Sequence, residues 1–141
     1  MVKKIFLDTN IFLRYFTRDR EDMYQESENI LKLCEGGRLQ IATSTIVLTE
    51  IIYTLKSFYK LGNSEIYKHI DSILRIKNII LIEKTYFNKS YQLFKKELSA
   101  KISDCLIVTQ IPLNYILCSF DKGIERLIGE QRFIDPEEVL N

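Results

Sequence analysis

Short apolar runs recur along this chain between longer stretches with helical spacing, and that alternation restricts the fold more than any other feature. Ile5 to Leu7, Leu39 to Ala42, Ile79 to Ile82 and Tyr115 to Cys118 read as strands, with Phe133-Ile134 a candidate fifth. A strand covered on one face alternates apolar with polar residues, whereas one that is apolar throughout is buried on both. Between these runs lie helical stripes. Residues 22–35 carry Met23 or Tyr24, Ser27, Ile30 or Leu31, and Cys34 on one face, closed by Gly36-Gly37. A helix from about 45 to 60 has Ser44 as its cap and Val47, Ile51, Thr54, Leu55 and Phe58 as its core stripe. Gly62-Asn63-Ser64 breaks it, and Ile66, Ile70, Ile73 and Leu74 continue the pattern as the second arm of a helical hairpin. Phe87, Tyr91, Phe94 and Leu98 mark another helix, and one opens near Ser103-Asp104. Strands and helices in this order predict an α/β domain: three α/β/α layers around a mainly parallel sheet of four or five strands, spanning residues 1–141.

The totals agree with that class. The chain has 141 residues, 46% hydrophobic and 28% charged, which suits a folded core and not a disordered one. Two prolines and five glycines leave no linker, and no apolar run approaches a membrane span. The start, Met1-Val2-Lys3-Lys4-Ile5-Phe6-Leu7-Asp8, has basic residues before apolar ones, but a carboxylate ends the apolar stretch too early for a secretion signal. Cys34, Cys105 and Cys118 are odd in number and lack metal-binding spacing, so they read as reduced, buried thiols of a cytoplasmic protein.

Four carboxylates stand out against this frame. Asp8 ends the first apolar run, Asp104 stands at the opening of a helix, and Asp121 follows the Tyr115 to Phe120 run. Glu50 lies on its helix roughly 70° from the centre of the apolar stripe, at about 100° per residue, so it flanks the buried face. Each acid alone has an ordinary reading as a helix cap or a solvated edge residue. Acids at the carboxyl ends of parallel strands and the starts of the following helices can meet in one cleft. Such a cluster repels itself and calls for a cation.

The choice of cation follows from the donors. Zinc sites rest on Cys and His, and neither occurs here at suitable spacing. All-oxygen ligation selects Mg²⁺ or Mn²⁺, which favour phosphate as a co-ligand, so hydrolysis of a phosphodiester is the natural reaction. A ribonuclease mechanism built on two histidines is excluded by a single histidine, His69. The net charge is +1, but setting the four acids aside leaves 15 acids against 20 Lys and Arg, about +5 outside the cleft. That balance suits a polyanion.

Leu7-Asp8-Thr9-Asn10, the Thr49-Glu50 pair, Ser103-Asp104-Cys105-Leu106-Ile107 and Ser119-Phe120-Asp121 occur in order along the whole chain. Together they resemble the PIN domain, and within it the VapC-like toxins of toxin–antitoxin pairs. The resemblance implies that Asp8, Glu50, Asp104 and Asp121 hold one or two Mg²⁺ or Mn²⁺ ions, with Asn10 and Ser119 supporting them. It also implies endoribonuclease activity on structured RNA, frequent homodimers, and an antitoxin that covers or plugs the acidic cleft. Many relatives carry threonine where Ser119 stands, and some have a further acid where this chain has Lys122-Gly123-Ile124.

Arg14, Lys101, Lys122 and Arg126 lie near these acids in sequence and are candidates for phosphate contacts. Two other functions fit parts of the pattern. A haloacid dehalogenase-like phosphatase also opens with an apolar strand and an aspartate, but it needs a second aspartate where this chain has Asn10. A non-catalytic PIN-like module that binds RNA without cutting it would be expected to lose some of the acids. Phe12, Tyr15, Phe16, Tyr53, Phe58 and Tyr59 are assigned mainly to core packing, with some left over for a dimer or antitoxin surface.

Overall fold

The computed structural model describes residues 2–139. Five strands form one sheet in the order β3-β2-β1-β4-β5, all neighbours parallel. They are β1 (Lys3–Leu7), β2 (Leu39–Ser44), β3 (Ile80–Ile82), β4 (Ile116–Cys118) and β5 (Phe133–Ile134). The helices are α1 (Thr9–Thr17), α2 (Glu21–Glu35), α3 (Thr45–Ser57), α4 (Asn63–Leu74), α5 (Phe87–Lys96), α6 (Ile102–Gln110), α7 (Glu125–Ile128) and α8 (Pro136–Val139). Helix α1 packs on α2 and α3, and α3 on α4; α6 likewise packs between α5 and α7. The result is the expected three-layer arrangement.

β1 is the centre of the sheet for a physical reason. Ile5, Phe6 and Leu7 are all fully buried although successive side chains point to opposite faces, so both faces are covered. β2 repeats the pattern with Ile41, Ala42 and Thr43. The edges behave differently. β3 is just as apolar in sequence, yet Ile80 is exposed and Leu81 and Ile82 are half-buried, because an edge strand has one neighbour.

Local chemistry sets the helix ends. Ser44 caps α3 by accepting from Val47 N–H at 3.2 Å. α2 ends as its two glycines demand: Gly37 takes φ +78°, and Arg38 N–H donates back to Leu33 O at 2.9 Å. Asp8 is the N-cap of α1, and Asp121 caps the short 3₁₀ turn Lys122–Ile124.

Two expected core stripes are corrected. Helical spacing puts Phe58 in the core of α3, but it is 74% exposed, because α3 buries Val47, Leu48, Ile51 and Leu55 and ends at Ser57. Leu74, at the last turn of α4, is exposed as well. α5 exists where its apolar spacing places it, but it is turned outward. Phe87, Tyr91, Phe94 and Leu98 face solvent, while Ser90 is buried and its hydroxyl lies 2.6 Å from that of Thr109 on α6. Of the helix aromatics, Phe12 is fully buried, Tyr15, Phe16 and Tyr59 pack partly on the core, and Tyr53 is exposed. His69 is half-buried and stacks on Phe16 at 4.3 Å, so it is a packing residue on the flank of α4. No helix among the described residues is long and apolar enough to cross a membrane.

Candidate active site

At the carboxyl ends of β1 and β4 the two neighbouring strands turn away from the sheet, and Asp8 and Ser119-Phe120-Asp121 emerge beside each other there. Asp8 N–H still donates to Cys118 O at 3.1 Å, which holds the two strand ends together. The Asp8 carboxylate is then gripped from two sides. Oδ1 accepts from Thr9 N–H at 2.8 Å, and Oδ2 accepts from the Ser119 hydroxyl at 2.8 Å.

Ser119 is the hub of the arrangement. Its fully buried hydroxyl donates to Asp8 and accepts from Asp121 N–H at 3.0 Å and from Asn10 Nδ2 at 3.3 Å. Asn10 uses its other end to accept from Phe120 N–H at 3.2 Å. Thus Asn10 and Ser119, both expected as supporting residues, tie α1 to the segment after β4. Asp121 itself is fixed by its own turn, since Oδ1 accepts from Gly123 N–H at 2.8 Å. A Cβ at Gly123 would stand 3.0 Å from that oxygen, so glycine is what lets the backbone approach the carboxylate so closely.

Glu50 comes from the flank of α3, as its angular position suggests, and is half-buried. The Thr9 hydroxyl donates to its Oε1 at 2.9 Å. Asp104 sits in the first turn of α6, where the helix dipole favours an anion; Lys101 is the N-cap residue of that helix. No side chain or backbone group hydrogen-bonds the Asp104 carboxylate among the described residues.

Electrostatics tie the acids to each other. Burial pushes the Asp8 carboxyl up to about 6; the Ser119 and Thr9 bonds pull it down, while the charges of Glu50 and Asp104 raise it further. Asp104 is also pushed up to about 6, by burial first and then by Glu50 and Asp121, with Lys101 opposing. The four acids are therefore linked electrostatically in a single acidic patch. Among the described residues, no three metal-ligating side chains lie close enough to bind one ion together. Mg²⁺ needs no such cage, since it binds through one or two carboxylates and keeps several waters. The donor set, all oxygen and all anionic, suits the same ion.

A groove of about 160 Å³ opens beside this patch, lined by Glu97, Ser99, Lys101, Asp104, Asp121 and Arg126 among others. Lys101 and Arg126, two of the four cations expected near phosphate, therefore line the same groove as Asp104 and Asp121. The other two are engaged elsewhere. Arg14 Nη1 donates to both Asp19 oxygens at 3.0 and 2.9 Å, and Lys122 pairs with Asp135 at 2.7 Å. Thr9 and Glu97 join the site although neither stands out as a site residue in the sequence. Thr9 carries a signal, a hydroxyl next to a capping aspartate, whereas Glu97 carries none. The three cysteines are buried and free, and burial raises the thiol of each.

A family model of the PIN domain matches residues 5–126. Among solved structures, the chain is similar to the crystal structure of VapBC2 from Rickettsia felis bound to a DNA fragment from their promoter. The identity is 24%, over 94% of this chain and 98% of that one, with a TM-score of 0.64. At that identity the likeness speaks for the fold. No curated protein matches the chain.

Proposed function

The chain belongs to the PIN domain family, a family of nucleases, and from that premise we propose that it is a divalent-metal-dependent endoribonuclease acting as the toxin of a toxin–antitoxin pair. The observation that carries this reading is the shared field of Asp8, Glu50, Asp104 and Asp121 at the strand ends, beside a groove that also presents Lys101 and Arg126. These four acids are the proposed catalytic and metal-holding residues. Residues 1–141 are taken as one such domain, working in the cytoplasm.

The chain's own groups have separable tasks. Ser119 and Thr9 N–H hold both oxygens of Asp8, so its remaining lone pairs are aimed before any substrate arrives. Thr9 Oγ1 and the Gly123 backbone do the same for Glu50 and Asp121. Lys101 and Arg126, which line the groove, would hold phosphates of the bound strand. Mg²⁺ or Mn²⁺ bound to the acids would supply an activated water and neutralise charge on the leaving oxygen. A carboxylate cluster is a poor host for RNA without that neutralisation.

The phosphatase alternative loses support from Asn10. Its amide is spent on Ser119 and Phe120 N–H, and an amide offers no proton to a leaving group. A non-catalytic module is disfavoured because every acid is present and Asp8, Glu50 and Asp121 are held by hydrogen bonds.

Cleavage of RNA by the purified protein is expected in Mg²⁺ or Mn²⁺, to stop in excess EDTA, and to return when metal is restored. Cleavage that persists in EDTA would refute the metal-dependent reading. Expression of the chain alone in a bacterial host is expected to arrest growth, with relief on co-expression of a protein that co-purifies with it. Harmless expression with no co-purifying partner would remove the toxin label and leave the nuclease. Ile52, Tyr53, Phe58 and Tyr67, all exposed on the α3–α4 hairpin or at its turn, support contact with a second copy or with the antitoxin.

A further inference from the structure

The outward face of α5 is costly for a free surface and unexplained by the cleft. Phe87, Tyr91 and Phe94 are 61%, 41% and 38% exposed, and Tyr86 just before the helix is exposed too. They are spaced for one side of a helix, and the Phe87 and Tyr91 rings lie nearly parallel, 7° apart with centroids 5.9 Å apart. Lysines are interleaved with them. Lys84 Nζ stands 5.2 Å from the centre of the Tyr86 ring, and Lys95 Nζ 4.9 Å from that of Tyr91. Residues 84–101 hold five lysines, Lys84, Lys89, Lys95, Lys96 and Lys101, against one acid, Glu97.

We propose that this face is a platform for single-stranded RNA, which stacks unpaired bases on Tyr91, Phe94 and Phe87 and leads the strand into the acidic groove. The proposal rests on the nuclease reading and adds to it a strand-binding surface outside the acidic cleft. Two observations select this occupant. Aromatic rings flanked by ammonium groups match alternating bases and phosphates. The platform is also continuous with the cleft: α5 runs about 15 Å and leads directly to Glu97, Ser99 and Lys101, which line the groove containing Asp104 and Asp121. A second copy docked symmetrically on this face would set lysines against lysines, which opposes association.

The test measures anisotropy of a fluorescein-labelled, mixed-sequence single-stranded RNA on the Asp104→Asn protein in Mg²⁺, so that binding is read without cleavage. Tyr91→Ala with Phe94→Ala is expected to weaken binding about tenfold or more. Tyr91→Phe, which keeps the ring, is expected to retain affinity. Lys84→Gln with Lys95→Gln is expected to flatten the dependence of affinity on salt by about 0.7 in log–log slope for each phosphate left without its ammonium partner. On the otherwise native chain the alanine pair is expected to raise KM and spare kcat. Unchanged affinity and KM in the alanine pair would overturn the platform while leaving the nuclease intact. So would a sedimentation shift from dimer to monomer, which would make the face a subunit interface. Binding through α5 by a native chain that never cuts RNA would keep the platform and remove the nuclease.

Discussion

Asp104→Asn is expected to slow RNA cleavage by on the order of 10²–10³-fold or more, and at the same time to raise the melting temperature of the metal-free protein near neutral pH. The two effects have one cause. Asp104 is a half-buried carboxylate in the field of Glu50 and Asp121, and its charge is disfavoured in the metal-free protein. The amide gives up no hydrogen-bond partner, so relief of repulsion is what remains. Partial exposure limits the gain to about 1 kcal/mol, or roughly 2–4 °C. Asp8→Ala makes the informative contrast. It is also expected to end cleavage, but it removes the cap of α1 and the acceptor of the buried Ser119 hydroxyl. These losses offset the relief of its buried charge, so no comparable rise in melting temperature is expected. Calorimetry of both variants in EDTA, beside cleavage assays in Mg²⁺, separates the cases. Full activity in Asp104→Asn would remove that residue from the machinery; a lower melting point would show that its charge is not a burden.

The second large effect is a reversal of the usual dependence of stability on pH. The Asp8 carboxyl stands at about 6 in the fold against 3.8 in the unfolded chain. Between those values the folded state binds more protons than the unfolded state, so stability falls as pH rises through this window and stays low above it. For Asp8 alone the loss approaches about 3 kcal/mol. Asp104 adds in the same direction. His69 opposes them: burial lowers its pKa below 6.5, so it destabilises the fold as it charges at low pH. The share of Asp104 is isolated by comparing the native chain with Asp104→Asn at about pH 5 and about pH 7.5, on either side of these shifted values. The pH dependence that the variant keeps includes that of Asp8. Mg²⁺ is expected to raise the melting temperature at the higher pH and to have little effect at the lower, where protonated carboxyls bind it poorly. An equal response to Mg²⁺ at both values would show that these carboxylates are not its ligands.

Much of the fold was legible because burial on both faces leaves a plain mark. Ile5-Phe6-Leu7 has no polar residue to alternate with, and such a run fits an inner strand. The capping hydroxyl of Ser44 and the paired glycines at 36 and 37 were equally readable, since each does a local job that few residues can do. What escaped was direction. Spacing shows that Phe87, Tyr91 and Phe94 share a side of a helix, but not whether that side meets the sheet or the solvent. Here a buried Ser90 paired with Thr109 decided it, across nineteen positions of chain. The acids were legible singly, through their places at strand and helix ends. Their linkage was not. Thr9 to Glu50 and Ser119 to Asp8 are bonds across 41 and 111 positions, and nothing local announces them.

The sheet stops at strands of three and two residues, β3 on one side and β5 on the other. Margins this stubby offer another polypeptide almost no ladder to extend. Higher-order assembly must therefore be negotiated through helix flanks and loops, where contacts depend on side-chain identity. Choice of companion can then drift by surface substitution while the interior stays untouched.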